Sequence, residues 1–364
     1  MPTQIYSFFS GVGFLDLGFQ NAGFDIAFVD EFDERFLQAY QYARRNDPHV
    51  PQYGYSHSDV RDFLVDDIWN RTFPDYRQNE DTLIGFIGGP PCPDFSTAGK
   101  NEGENGENGQ LTSVYVNLII RRQPDFFVLE NVKGLYRTKK HKEFYDRIKR
   151  RLYNAGYSLF DTIENALEYG APQYRDRLIL IGFKRARFGR RLRYEFGTHR
   201  VHTLEDINNI NWPTTDPFVE NGILMMPPDI IPELTVEHWF EQNDVYNHVN
   251  GNDVFNVINQ ERFITIPEGN SAGKSFKRLH RWRYSPTAAY GNNEVHLHPY
   301  LPRRISVAEA LAVQSLPATF ELPADLPLSA KFKMVGNGVP YLLALGIATE
   351  LYEWLEGFQQ RIGE

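Results

Sequence analysis

An apolar run, Leu83-Ile84-Gly85-Phe86-Ile87, ends abruptly at Gly88-Gly89-Pro90-Pro91-Cys92-Pro93-Asp94-Phe95-Ser96, and this junction constrains the chain more than any other stretch. The run has the length and apolarity of a buried strand. Two glycines and two prolines stop that strand and stiffen the turn, and Pro93 closes its far side. Cys92 is the only cysteine among 364 residues, so no disulfide framework exists and a reducing compartment is expected. A lone cysteine is commonly a small core residue, but a Pro-Cys-Pro turn is a poor place for one. A thiol on a rigid turn at the end of a buried strand is instead placed to attack a substrate.

The N-terminal segment follows the same strand-then-turn logic. Ile5-Tyr6-Ser7-Phe8-Phe9 reads as a strand, Ser10-Gly11-Val12-Gly13 as a turn, and Phe14-Leu15-Asp16-Leu17-Gly18-Phe19 as a helix. Strand, Gly-x-Gly turn and helix make the layout of a nucleotide-type cofactor loop. The dinucleotide fingerprint is incomplete, because Asp16 follows where a third glycine belongs. A second strand, Ile26-Ala27-Phe28-Val29, ends in Asp30-Glu31-Phe32-Asp33. A carboxylate there holds ribose hydroxyls in doubly wound sheets, and Phe32 offers a flat face to a base. The same acids would equally favour a helix N-terminus, and the residues alone leave both uses open.

Phe32 to Arg45 then reads as a helix and Ser58-Asp59-Val60-Arg61 as the end of a short third strand. Asp125-Phe126-Phe127-Val128-Leu129 is a fifth strand, terminated by Glu130-Asn131-Val132. If it is a parallel neighbour of the strand before Cys92, Glu130 lies at the same edge, where open α/β sheets bind ligands. Four apolar residues precede Glu130, so its carboxyl should be partly desolvated and its pKa raised toward use as an acid. Gly99 to Gln110 is low in complexity and reads as a mobile loop, either a lid or a tolerated insertion. Lys139 to Leu152 is a basic amphipathic helix. Gln173, Arg175 and Arg177 alternate ahead of the strand Leu178-Ile179-Leu180-Ile181-Gly182-Phe183, a spacing that predicts a row of donors on one face.

Taken together these blocks are ordered as in a known family, and the chain resembles the DNA (cytosine-5) methyltransferases. Phe9-Ser10-Gly11-Val12-Gly13 resembles that family's S-adenosylmethionine loop, Glu31-Phe32 its ribose-and-adenine pair, and Asp59-Val60 its adenine-edge contact. Pro91-Cys92 with Phe95-Ser96 resembles the nucleophile loop, Glu130-Asn131-Val132 the acid motif, and Gln173-x-Arg175-x-Arg177 the arginine motif. Arg303-Arg304-Ile305-Ser306-Val307-Ala308-Glu309-Ala310 and Gln314-Ser315-Leu316-Pro317 resemble the helix supporting target recognition, and Gly336-Asn337-Gly338-Val339-Pro340 the last cofactor motif. Two departures stand out. Pro93 follows the cysteine where bacterial members often carry Gln, and Gly338 stands where Ser or Ala is common. Glu102, Glu104 and Glu107 in the low-complexity loop would repel phosphates if they faced DNA.

The resemblance implies an α/β, Rossmann-like S-adenosylmethionine-dependent methyltransferase fold with a smaller, irregular target-recognition domain. It implies a first catalytic part at 1–183, recognition at 184–300, and a return to the catalytic domain at 301–364. It implies Cys92 as nucleophile, Glu130 as acid, and Arg175 and Arg177 around the target base. It implies a donor pocket built from Phe9, Ser10, Gly11, Gly13, Glu31, Phe32, Asp59, Val60, Pro90, Asn337 and Val339, with S-adenosyl-L-homocysteine as product. The substrate is then double-stranded DNA with the target cytosine flipped out.

A formal net charge of −9 argues against nucleic acid until it is resolved along the chain. Lys184 to Arg200 is basic, Thr203 to Asn270 is acidic with Arg262 its only Lys or Arg, and Ser271 to Arg304 is basic again. A positive face is therefore compatible with a negative molecule. Candidate DNA contacts are Ser96, Gln173, Lys277, Arg278, Arg281, Arg283, Asn292, Asn293, Arg303 and Arg304. Arginine reads guanine and asparagine adenine, although phosphate anchoring is the more frequent role of such arginines. The N-terminus has no signal segment and no run of 18 apolar residues is apparent, so a cytoplasmic monomer of bacterial or phage type, without a membrane, is expected. A cognate restriction endonuclease is a candidate companion without stable contact. Two alternatives stay open: an RNA cytosine-5 methyltransferase of the same fold, and a DNA-binding protein that has lost catalysis.

Overall fold

The computed structural model describes residues 3–78, 81–91, 107–136, 139–256, 260–273, 275–288, 290 and 295–363. Seven strands form one sheet: β1 (Thr3–Phe8), β2 (Asp25–Asp30), β3 (Tyr55–Ser56), β4 (Leu83–Gly88), β5 (Phe126–Val132), β6 (Tyr157–Asn165) and β7 (Asp176–Lys184). Their order is β3-β2-β1-β4-β5-β7-β6. Strands β1 to β5 pair in parallel, while β7 runs antiparallel to both β5 and β6. The order reverses between β1 and β4, so the crevice beyond their carboxyl ends is the topological switch point where open sheets take ligands. The turn Phe9–Gly13 leaves β1 there, and Gly89 leads away from β4 toward Cys92 at the same edge.

The connecting helices are α1 (Phe14–Asn21), α2 (Glu34–Ala43), α3 (Asp66–Thr72), α4 (Glu107–Arg122) and α5 (Lys139–Asn154). Helix α2 begins two residues later than its pattern predicts, because Asp33 caps it by accepting from Arg35 N. Helix α4 starts inside the glycine-rich stretch, so 107–110 are helical rather than loop, and 92–106 lie outside the described residues. Strand β3 stops at Ser56, leaving Asp59 and Val60 in the turn beyond it. Strand β5 runs through Glu130 to Val132 instead of ending before it. Strand β6 has no counterpart in the sequence reading. It is an edge strand whose middle is half-buried, so its residues mix apolar and polar types without a clean period.

Beyond β7 the chain is irregular to about residue 300, as its prolines predict. It holds the short helices α6 (Arg185–Phe188), α7 (Leu204–Asn209), α8 (Val236–Gln242) and α9 (Gln260–Ile264), joined by isolated bridges such as Gln173↔Ser285 and Asp216↔Glu268. Helices α10 (Val307–Val313), α11 (Leu328–Asn337) and α12 (Tyr341–Gly363) follow. Ser306 and Glu309 form a capping box that starts α10.

The sheet alternation sorts side chains into two cores. Tyr6, Phe8, Phe28 and Phe86 meet Phe63, Trp69 and Phe73 on one face. Ile5, Val29, Ile87 and Val128 meet Leu343, Ala344, Ile347 and Leu351 of α12 on the other. The chain's last helix thus packs against the strands with which the chain begins. The stretch Leu328–Phe358 is long and apolar enough to cross a membrane by length and composition alone, but 67% of its most apolar window is buried inside this fold. A third core sets Val12, Phe14 and Phe36 against α10 and α11 and against Trp239, Phe240, Leu279 and Tyr290. The irregular region is therefore packed against the turn that holds Gly11 and Gly13.

Candidate active site

Strand register builds the site. Gly88, the last residue of β4, pairs with Leu129 of β5, which puts Glu130 beside Gly89. The approach is so close that a Cβ on Gly89 would come within 2.6 Å of Glu130 Oε2. A side chain at Gly89 would displace the carboxylate, which explains a glycine there. Gly89 lies three residues before Cys92. Across the antiparallel pair β5/β7, Arg177 Nε approaches Glu130 Oε1 to 2.6 Å, and both side chains are almost fully buried. Burial lifts the Glu130 carboxyl above the ordinary carboxylate range, opposed by the charges of Arg177 and Arg175. Cys92 and Ser96 lie outside the described residues.

The row of donors predicted from Gln173, Arg175 and Arg177 does not form. Only Arg177 belongs to β7, and it alone reaches Glu130 as an ion pair. Arg175 is turned inward, donating to Ala288 O at 2.9 Å, Gln173 Oε1 at 3.2 Å and Gly336 O at 2.7 Å. It clamps the arginine segment to the residues before Asn337 and acts on Glu130 through its field. Burial and the neighbouring Arg177 hold its own pKa well below the usual guanidinium range. Gln173 is fully buried and bonds Val313 O, Gln314 Oε1 and Ala288 N, so it is removed from the DNA contacts.

The second half of the site is the cleft beyond β1 and β2. Gly11 and Gly13 have φ of 58° and 82°, the left-handed region that glycine enters without strain. Arg44, which caps the C-terminus of α2, donates to Gly13 O at 2.7 Å and fixes that turn. Glu31 accepts from Gly11 N at 2.8 Å and from Asp33 N at 3.0 Å, so its carboxylate spans from the turn to the start of α2. Phe32 beside it is 70% exposed, an unusual position for an aromatic ring with no ligand against it. Phe9 is half-buried and Ser10 bonds Asp30 O. Asp59 is half-exposed and paired with Arg61, above the buried Val60. Pro90 is buried, while Asn337 is exposed at the end of α11 and Val339 is buried one turn on.

Asp30 is a site residue that the sequence reading passed over. Its carbonyl accepts from Ser10 N and Ser10 Oγ, and its carboxyl is held by Ser56 and Ser58 N, so it joins the two walls of the cleft. Burial, with Glu31 and Asp59 nearby, pushes it up to about 7, and its Oδ1 has no hydrogen-bond partner. A raised carboxyl pKa gives stability that is complete below the unfolded value of 3.8 and lost as pH rises through about 7. Asp30→Asn is therefore expected to unfold at a higher temperature than the parent at pH 8 and to lose that advantage near pH 4. Thermal unfolding at the two pH values measures it, and a difference that stays constant with pH contradicts it.

The basic stretch Ser271–Arg304 is less available to a ligand than its composition predicts. Arg278 is fully buried and gives its donors to the carbonyls of Ile266, His298, Leu301 and Phe263. Arg281 is 7% exposed and doubly bonded to Glu268. Arg303 pairs with Glu309 at 2.6 Å. Arg278 and Arg281 therefore cannot reach base edges, because internal carbonyls and a buried carboxylate already use their forks. Lys277, Arg283 and Arg304 remain partly exposed, Arg304 with a buried Nε that finds no acceptor. Asn292 and Asn293 lie outside the described residues.

Residues 3–353 match the family of C-5 cytosine-specific DNA methylases, and the chain belongs to that family. It is 52% identical to the type II methyltransferase M.NmeDI of Neisseria meningitidis serogroup C, over 99% of this chain and 86% of that protein. It is 27% identical to the type II methyltransferase M.FnuDI of Fusobacterium nucleatum, over 97% of this chain and 95% of that protein. Among solved structures, a prophage-encoded protein of E. coli superposes with a TM-score of 0.67 at 24% identity, covering 98% of this chain and all of that one. The S. pombe Dnmt2 methyltransferase does so with a TM-score of 0.61 at 13% identity, covering 97% and 99%. These likenesses establish the Rossmann-like methyltransferase fold expected from the sequence. The protein is a DNA cytosine-5-methyltransferase.

Proposed function

We propose that the chain modifies carbon 5 of a cytosine flipped out of a specific double-stranded DNA sequence, using S-adenosyl-L-methionine and a covalent bond from Cys92. The observation that carries this reading is the buried Glu130 carboxyl, set against Gly89 and paired with Arg177. Cys92 as thiolate adds to carbon 6 of the ring, forming the S–C6 bond and pushing the ring electrons toward carbon 5 and nitrogen 3. Glu130 holds a proton at nitrogen 3 and so stabilises that adduct, for which its raised pKa suits it. Arg177 holds the Glu130 carboxyl in place and sets its positive charge beside the base's carbonyl oxygen. Once carbon 5 carries the methyl group, loss of its proton re-forms the double bond, breaks the S–C6 bond and returns the thiolate. A stacked base is out of reach of these groups, so the target must leave the duplex.

The cleft beyond β1 and β2 fits the donor. The exposed Phe32 ring offers a stacking face, Glu31 a hydroxyl acceptor beside the glycine turn, and Asp59 an acceptor for an amine. Asn337 and Val339 close the cleft from the turn between α11 and α12. When bound there, the donor supplies an electrophilic methyl group. The named relatives are type II methyltransferases, which supports a restriction-modification role beside a cognate endonuclease. The test is transfer of labelled methyl to duplex DNA, followed by bisulfite sequencing of a host genome expressing the chain. Absence of new 5-methylcytosine at any sequence would overturn the reading.

The departure at Gly338 has a local cause. A Cβ there would overlap the ring of Phe14, itself buried edge-on to Phe320 at 5.2 Å. Phe14 directly follows the glycine turn, so the two ends of the donor cleft are fitted to one another. Gly338→Ser is expected to weaken binding of S-adenosyl-L-homocysteine about tenfold or more by calorimetry, since overpacking costs roughly 1–3 kcal/mol. Adding Phe14→Gly is expected to restore part of it. An unchanged affinity in the single variant would show that the contact is irrelevant to the cleft.

A further inference from the structure

Asp16 stands where a dinucleotide fingerprint carries its third glycine. It is fully buried in α1 against β1, where the small Ser7 leaves room for a carboxyl. Its two oxygens reach both ends of the glycine turn. Oδ1 lies 2.8 Å from Ser7 Oγ, which lies 2.8 Å from Ser10 Oγ, which lies 3.2 Å from Asp30 O. Oδ2 accepts from Tyr40 OH at 3.0 Å. The Tyr40 ring fills the space that a side chain at Gly13 would need. The Arg44 guanidinium, 4.0 Å over that ring, donates to Gly13 O. Asp30 leads into Glu31, which accepts from Gly11 N. The hydrogen-bond chain from Asp16 therefore ties together the two walls of the donor cleft.

Counting protons along this chain fixes the state of Asp16. Asp30 O is a carbonyl and only accepts, so the Ser10 hydroxyl donates to it. Ser10 Oγ then accepts the Ser7 hydroxyl. Ser7 has no second hydrogen for Asp16, and Tyr40 gives its own to Oδ2. The contact at Oδ1 is complete only when Asp16 itself donates to Ser7. An ionised Asp16 would draw the Ser7 hydroxyl to itself. Ser10 Oγ would then donate to Ser7, and two oxygens without a proton between them would face each other at 3.2 Å. Arg44 does not neutralise such a charge by direct contact. Its Nη2 donates to Gly13 O, and its Nε and Nη1 find no acceptor. Burial raises the Asp16 pKa, opposed by the charge of Arg44 and the hydroxyls of Ser7 and Tyr40.

We propose that Asp16 is a positioning residue for the donor cleft, held as a neutral carboxylic acid whose proton begins the hydrogen-bond chain through Ser7 and Ser10 to Asp30. This rests on the donor reading of the cleft above. The test compares three variants of the full chain. Asparagine keeps the shape, donates from its amide to Ser7 and accepts from Tyr40, so Asp16→Asn reproduces the protonated acid. Asp16→Ala and Ser7→Ala each cut the chain. By calorimetry, Asp16→Asn is expected to bind S-adenosyl-L-homocysteine within about threefold of the parent. The two alanine variants are expected to bind it about tenfold or more weakly, because each leaves a buried polar group unpaired. A cooperative unfolding transition in each variant checks the fold. The infrared spectrum at pH 7 reads the proton directly: the parent should carry a protonated-carboxyl C=O band that Asp16→Asn lacks. Loss of a carboxylate band instead, with Asp16→Asn binding as weakly as Asp16→Ala, overturns the neutral acid. Parent affinity in both alanine variants overturns the positioning role. A parent that binds no S-adenosyl-L-homocysteine overturns the donor reading of the cleft, and the infrared difference then still decides the state of Asp16.

Discussion

Cys92→Ala is expected to abolish methyl transfer and to leave binding of S-adenosyl-L-homocysteine intact. The reason is chemical. Carbon 5 of cytosine is a poor nucleophile until a group adds at carbon 6, and no second cysteine exists to replace the lost thiol. Donor binding should persist because the groups proposed for it follow β1, β2, β3 and α11, with only Pro90 in the turn after β4, and the substitution leaves Pro90 in place. Two measurements separate the outcomes: labelled methyl transfer to duplex DNA, and calorimetry with the product. Loss of both would make Cys92 a structural residue. The parent should also form a denaturant-resistant adduct with DNA containing 5-fluorocytosine, where the fluorine cannot leave as a proton does, and the alanine variant should not.

Glu130→Gln is expected to lower kcat by about 10²- to 10⁴-fold, the usual contribution of a positioned acid. The amide keeps the shape and can still donate at nitrogen 3, but it cannot hand over a proton. The pH dependence distinguishes this from simple misplacement. Burial raises the Glu130 pKa, so the parent's acid form persists toward neutrality and activity falls as pH rises through the shifted value. The glutamine variant should lose that falling limb while keeping the product affinity of the parent. A variant with the parent's kcat, or with the same alkaline limb, would remove Glu130 from the proton transfer. The contact with Gly89 makes a related point: any side chain at position 89 must push Glu130 off its place, so Gly89→Ala should resemble loss of the acid.

The strands that the sequence made legible are those buried on both faces. β4 and the stretch 178–183 of β7 are continuous apolar runs, and a run of that kind carries its own assignment. β6 escaped because an edge strand needs no such run. The candidate site residues were read for the same local reason: Cys92, Glu130 and Arg177 each stand next to a strand pattern in the sequence.

The cationic residues show what local patterns leave out. Arg175, Arg278 and Arg281 look in sequence like Arg283, yet they are buried and bonded to carbonyls and carboxylates elsewhere along the chain. A guanidinium's partner is chosen by how the chain closes on itself, and nothing within a few residues announces whether that partner is a distant carbonyl or a ligand. The sequence by itself determined the buried strands, the turn chemistry and the order of the motifs, because these depend on periodicity and on what glycine and proline forbid. Only the tertiary structure decided which charges are satisfied inside and which stay exposed, because that depends on contacts between residues 13 to 161 positions apart.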